Sequence, residues 1–178
     1  MLQLKFRGDD QTWPNDLDPN GEEFELWWTR NGDKLAQLHP RIVEQWVHRH
    51  WDHSPFRFIP LETLEWRLEA WPTERVLSAV HLNERNPPDP VHDYARFTRF
   101  GPKATATARG WNNGTWDYPI VVLETPFGVS TYGGDFPDAR FVLIEGHLRW
   151  HYLHGLAHRQ VKTGPHKLFI LRSSVTSE

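Results

Sequence analysis

Apolar positions recur along this chain with two periods, and the period assigns most of the elements. The run Phe24-Glu-Leu-Trp-Trp-Thr29, ahead of an Asn31-Gly32 turn, predicts a strand. From His39-Pro40 to about Trp51, Ile42, Val43, Trp46 and Val47 fall at helical spacing behind a proline suited to the first turn, and Ser54-Pro55 closes that helix. Leu61, Leu64, Leu68 and Trp71 predict a second helix from about Pro60, stopped by Pro72. Arg75-Val-Leu-Ser-Ala-Val-His-Leu82 reads as a strand, broken by Asn86-Pro-Pro-Asp-Pro90. Residues 92–110 carry two helical stretches, around 94–100 and 103–109.

The second half is patterned more sharply. Tyr118-Pro-Ile-Val-Val-Leu-Glu124 is apolar without alternation, as in a strand buried on both faces. Residues 127–138, rich in Gly and Pro, read as a loop. Arg140-Phe-Val-Leu-Ile144 predicts a strand, Glu145-Gly146 a sharp junction, residues 147–157 a helix, and Lys167-Leu-Phe-Ile-Leu171 a last strand. The expected class is α+β: a small mixed sheet with flanking helices in residues 75–178, and an N-terminal strand and helical extension, residues 1–74, packed on it. At 178 residues the chain supports one core.

Composition narrows the chemistry. With no cysteine there is no thiolate nucleophile, no disulfide and no cysteine-ligated zinc. No segment approaches the roughly 20 apolar residues that span a bilayer, and the start lacks a signal-like apolar stretch, so a cytoplasmic protein with no membrane partner is expected. A net charge of −3 gives no global attraction to nucleic acid; binding there requires a local basic face. Ten tryptophans are assigned mainly to core and helix packing, with ligand stacking as the alternative, and the Trp-rich N-terminal region is where a protein partner would be met by a binding protein.

The candidate site is Glu145-Gly-His-Leu-Arg149, where an apolar strand turns directly into a helix. The first N–H groups of a helix lack internal acceptors and carry the positive end of its dipole, which makes an anion site. Gly146 permits the bend and a close phosphate approach, and Arg149 offers a forked donor to phosphate oxygens. Glu145, at the strand end, is suited to hold a divalent metal or accept a proton.

The order of Tyr118-Pro-Ile-Val-Val, a loop, Phe141-Val-Leu-Ile-Glu-Gly-His-Leu-Arg149, a helix and Lys167-Leu-Phe-Ile-Leu171 resembles the ParB/sulfiredoxin superfamily over about residues 76–171. The resemblance implies that Gly146, His147 and Arg149 cradle nucleotide phosphates, with ATP or another nucleotide and Mg²⁺ as cofactors and Glu145 in the acidic position before the glycine. Arg85, in Glu84-Arg-Asn86, corresponds roughly to a second nucleotide-contacting position. Leu148 departs from the usual second histidine or first arginine. The absence of cysteine excludes sulfiredoxin's reduction chemistry, and the chain ends too soon after the core for a partition protein's DNA-reading domain.

The resemblance therefore points to compact members: a nuclease or nucleoside triphosphatase with Glu145 and His147 catalytic, acting in plasmid transfer inhibition or defence. The alternatives are a free-serine or small-molecule kinase and a non-catalytic, nucleotide-regulated binding protein. For DNA, Arg96, Arg99, Lys103 and Arg109, interleaved with Phe97, Phe100 and Trp111, are the densest basic stretch. His147, His151, His154 and His158 share a helix face, and the first two have metal-ligand spacing without the acidic third ligand. His48-Arg-His-Trp-Asp-His53 reads as cations favoured at a helix C-terminus.

Overall fold

In the computed structural model the described residues are 1–3, 17–104, 110–131 and 133–173. They form an α+β fold around a five-stranded mixed sheet. In chain order the elements are β1 (Leu2–Gln3), α1 (Phe24–Asn31), α2 (Pro40–Ile42, continuing as a π-helical turn over Val43–His48), β2 (Leu64–Trp71), α3 (Thr73–Ala79) and β3 (Val80–His81). Then come α4 (Pro90–Ala104), β4 (Ile120–Glu124), β5 (Val129–Thr131), β6 (Gly134–Phe136), β7 (Phe141–Glu145), α5 (His147–His158) and β8 (His166–Ser173). The large sheet runs β2-β8-β4-β7-β3, and β1, β5 and β6 make a small second sheet.

The apolar run of β4 sits at the centre of the sheet and divides its side chains between two cores. Val121 and Leu123 face a layer built from residues 17–64, including Trp27, Ile42, Val43, Trp46 and Phe56, all buried. Ile120 and Val122 face α3, α4 and α5 through Trp71, Val76, Trp150, Tyr152 and Leu153. The sheet is thus the middle of three layers, and the N-terminal part supplies both an outer layer and the edge strand β2. β4 pairs parallel to β8 and antiparallel to β7, and β3 pairs parallel to β7. Trp27, Trp46, Trp51, Trp71, Trp111, Trp116 and Trp150 are buried, as the packing assignment expected.

Five stretches differ from the periodicity reading. Residues 24–29 belong to a helix, because Trp27 and Asn31 share one buried face at i, i+4. Trp27 there donates its indole N–H to the Leu17 carbonyl at 2.9 Å. The helix expected over residues 60–71 is a single tight turn followed by β2: Leu64, Trp66, Leu68 and Ala70 alternate with Glu65, Arg67 and Glu69, and period 2 prevails once β8 is there to pair with. The strand expected over residues 75–82 is α3 entered from Pro72, with only Val80–His81 left extended. The expected loop at 127–138 contains the short hairpin β5–β6. The two stretches in 92–110 are one helix through Ala104, and residues 105–109 lie outside the described residues. The helix from Pro40, the strands β4, β7 and β8, and α5 lie where the periodicity placed them.

Candidate functional site

The strand–glycine–helix unit forms as the sequence indicates. β7 ends at Glu145, Gly146 adopts φ 106°, and α5 starts at His147. Only glycine is at ease with that φ, and a Cβ at Gly146 would also meet the Ile120 side chain at 2.5 Å. Just before it, the β4–β7 register slips between Val121, opposite Glu145, and Val122, opposite Leu143. The extra residue, Ile144, is a bulge that bends the end of β7 and re-aims Glu145.

This turn opens on a cleft of about 600 Å³. Glu145, Gly146, His147, Leu148 and Arg149 line one side, Asp117 and Tyr118 ahead of β4 a second, and Gln45, Arg49 and His50 a third. Arg149 is 9% exposed and ties the three together. It donates to Gln45 Oε1 at 2.7 Å and to the Tyr118 carbonyl at 3.3 Å, with Glu145 Oε1 at 3.8 Å. Gln45 in turn donates to the Pro119 carbonyl at 3.1 Å. Burial lowers the Arg149 pKa, opposed by the Glu145 and Asp117 charges; a guanidinium stays cationic regardless.

His147 is held below the usual imidazole range by burial, opposed by the Glu145 and Glu84 carboxylates, so it is poised neutral. The Tyr118 hydroxyl donates to Glu44 Oε2 at 3.1 Å, and the Arg41 guanidinium lies 4.8 Å from the Tyr118 ring centre. Burial, followed by that hydrogen bond, raises the Tyr118 pKa.

Arg85 is not brought into this cleft. It is exposed on the loop after β3 and lines a neighbouring cleft of about 310 Å³ with Glu84, Asn86, Phe136 and Trp150. Two histidines of the α5 face, His151 and His154, meet carboxylates. Glu84 Oε1 lies 2.7 Å from His151 Nε2, Asp93 Oδ1 lies 3.0 Å from His151 Nδ1, and Asp93 Oδ2 lies 2.9 Å from His154 Nδ1. Asp93 is 6% exposed, so a buried carboxylate from α4 hydrogen-bonds His154 and lies beside His151 Nδ1 without hydrogen-bond geometry. Among the described residues no group of three or more His, Asp or Glu is arranged to hold a metal ion. Arg96 and Arg99 are exposed on α4, Lys103 falls within that helix, and Arg109 lies outside the described residues.

Gln45, Arg49, His50 and Asp117 were not singled out from sequence as members of the site. His50 and Arg49 stood in the His48–His53 cluster assigned to a helix end, and Asp117 precedes the Pro119 that opens β4 without a motif around it. Tyr118 and Pro119, read only as the start of a strand, contribute through their carbonyls.

The fold and cleft together define an α+β protein with a glycine-turned pocket at a helix start, lined by two arginines and two carboxylates. Compared with known protein families, curated proteins and solved structures, the chain gives no match. No helix among the described residues is long and apolar enough to cross a membrane.

Proposed function

We propose that this chain is a compact ParB/sulfiredoxin-like protein that binds a nucleotide by its phosphates at the Gly146 turn and, with Mg²⁺, uses water to cleave a phosphoanhydride there as a nucleoside triphosphatase or a phosphodiester as a DNase. The observation that carries the reading is the Gly146 turn: a left-handed glycine packed on Ile120 at the start of a 12-residue helix, opening on a cleft that holds Arg49, His147 and Arg149. Unpaired first-turn N–H groups and cations on one concave surface suit a phosphate.

Mg²⁺ needs one or two carboxylates plus phosphate oxygens rather than a full protein cage. Glu145 and Asp117, the two carboxylates lining this cleft, fit that requirement. A divalent ion there supplies charge neutralisation on the phosphate oxygens. Arg149 orients the phosphate from the helix side, the neutral His147 is placed to accept or deliver a proton, and Glu145 is its acidic neighbour. Plasmid transfer inhibition or defence is the setting this activity suits. Arg96, Arg99, Lys103 and Arg109 are the proposed DNA contacts; three neutralised phosphates would give a slope of log K against log salt of about −2 to −3.

The test is thermal unfolding with ATP, ADP or GTP, each with and without Mg²⁺, followed by turnover assays. A ligand at a hundred times its Kd stabilises the native state by about 2.7 kcal/mol. Glu145→Gln is expected to keep that stabilisation and lose Mg²⁺-dependent turnover. Nucleotide stabilisation with no turnover in the parent would assign a regulated binding protein, and no stabilisation by any nucleotide or by phosphate would remove the reading.

A further inference from the structure

The edge strand β2 points to self-association. It pairs with β8 along eight residues, Leu64 to Trp71, and among the described residues its other edge has no partner strand. Residues Glu65, Trp66, Arg67 and Leu68 are all exposed, with the Trp66 indole N–H donating to the Gln37 carbonyl at 3.0 Å. Trp66 is 38% and Leu68 47% exposed, on the face shared with Leu64 and Ala70. An exposed strand of this length with large apolar side chains is a template for another strand.

The charge pattern says which strand. Glu65, Arg67 and Glu69 alternate in sign along one face. Two copies of β2 paired antiparallel about a two-fold axis at Trp66 place Arg67 opposite Glu65 of the other copy, twice, with Trp66 facing Trp66 and Leu64 facing Leu68. A two-fold at Leu68 places Arg67 opposite Glu69, twice, with Leu68 facing Leu68. A two-fold at Arg67 would set Arg67 against Arg67 and Glu65 against Glu69. Directly opposed unlike charges favour a cross-strand pair and like charges disfavour it, so the sequence is self-complementary in the first two registers and disfavours the third. In the single chain Arg67 lies 2.6 Å from Glu69 Oε1 and also meets Glu124, with its side chain 44% exposed, so it is at the surface and in reach of an incoming carboxylate.

We propose that the chain forms a two-fold dimer through antiparallel pairing of β2 with β2 of a second copy, joining two five-stranded sheets into one. A closed, isologous contact of this kind uses the β2 edge of both copies and so does not propagate through that edge. It is independent of the nucleotide reading.

Sedimentation equilibrium of the full chain is expected to show a concentration-dependent dimer, and hydrogen exchange of residues 64–71 to slow as concentration rises. Arg67→Glu makes the face all acidic, and Glu65→Arg with Glu69→Arg makes it all basic. Each is expected to weaken dimerisation about tenfold or more, and an equimolar mixture of the two to restore a heterodimer, a recovery that mere loss of folding cannot produce. Leu68→Lys, at an exposed position, is the second route should a charge variant fail to fold, and is expected to shift the chain toward monomer with its melting temperature kept. A parent that stays monomeric up to about 100 µM, or charge variants that dimerise as well as the parent alone, would overturn the proposal.

Discussion

Gly146 and Arg149 are constrained from two sides at once. Gly146 holds φ 106° and has the Ile120 side chain where a Cβ would go. Gly146→Ala therefore combines a strained backbone with an overpacked contact and is expected to cost about 2–4 kcal/mol of stability, read by urea unfolding. A cost below about 0.5 kcal/mol would mean that the turn relaxes freely. Arg149, read from sequence as a forked donor to phosphate oxygens, is 9% exposed and bonded to Gln45 and to the Tyr118 carbonyl. Arg149→Ala leaves buried acceptors without donors, so a loss of about 1–3 kcal/mol is expected in the absence of any ligand. Phosphate affinity must then be compared at temperatures where both proteins are folded. Gln45→Ala separates the two effects: it removes the anchor but keeps the guanidinium, and is expected to lower stability while weakening phosphate binding less than Arg149→Ala does. Nothing in the sequence around Gln45 signals this role, because its partners Arg149 and Pro119 are brought to it only by the packing of the N-terminal layer on the sheet.

At the level of elements, α4 and α5 are joined by a close approach and a buried charge. A Cβ on Gly155 would meet the Tyr94 backbone nitrogen at 2.5 Å, so the helices touch backbone to backbone there. Beside that contact Asp93 hydrogen-bonds His154 and lies beside His151. Asp93→Ala removes the carboxylate that meets His154 and His151 and is expected to cost about 1–3 kcal/mol, while Gly155→Ala is expected to force α4 outward. Both changes are checked by chemical unfolding and by amide exchange in residues 90–104, which should quicken more than in β4. The elements that periodicity located best are those whose pattern is unambiguous. Ile120 to Leu123 is too apolar to be anything but a doubly buried strand, and the Glu145-Gly146 break is marked by its own glycine. β2 was missed because Leu61, Leu64, Leu68 and Trp71 satisfy a helical spacing while Leu64, Trp66, Leu68 and Ala70 satisfy a strand spacing in the same residues. Only the partner β8 decides between them. The helix α1 was missed for the opposite reason, since its short run of Phe24, Leu26, Trp27 and Trp28 is apolar on too many sides to show a period.

Over the whole molecule, burial has been extended to several histidines at once, and that couples the fold to pH. His166 is fully buried, accepting or donating at 3.0 Å with Thr73 and 2.9 Å with Thr115, and burial brings its pKa down to about 4 against a weaker opposing charge from Glu74. His39, His81 and His147, in the N-terminal layer, at the β3 edge and at the cleft, are also lowered by burial. For each of these the unfolded chain takes up a proton near the ordinary histidine value of about 6.5, whereas the folded chain resists it. Stability is therefore complete above that value and falls as the solution is acidified, because the unfolded state binds more protons than the native state. For His166 the loss runs from about pH 6.5 down to its folded value of about 4, below which both states are protonated and the contribution stops changing. Urea unfolding measured from pH 8 to pH 4 is expected to show this decline, and His166→Gln, although less stable at neutral pH, should show a shallower one by about one proton between pH 6 and pH 4.5. Equal slopes in parent and variant would mean that the His166 ring is protonated in the native protein and that its two threonine contacts do not exclude the charge.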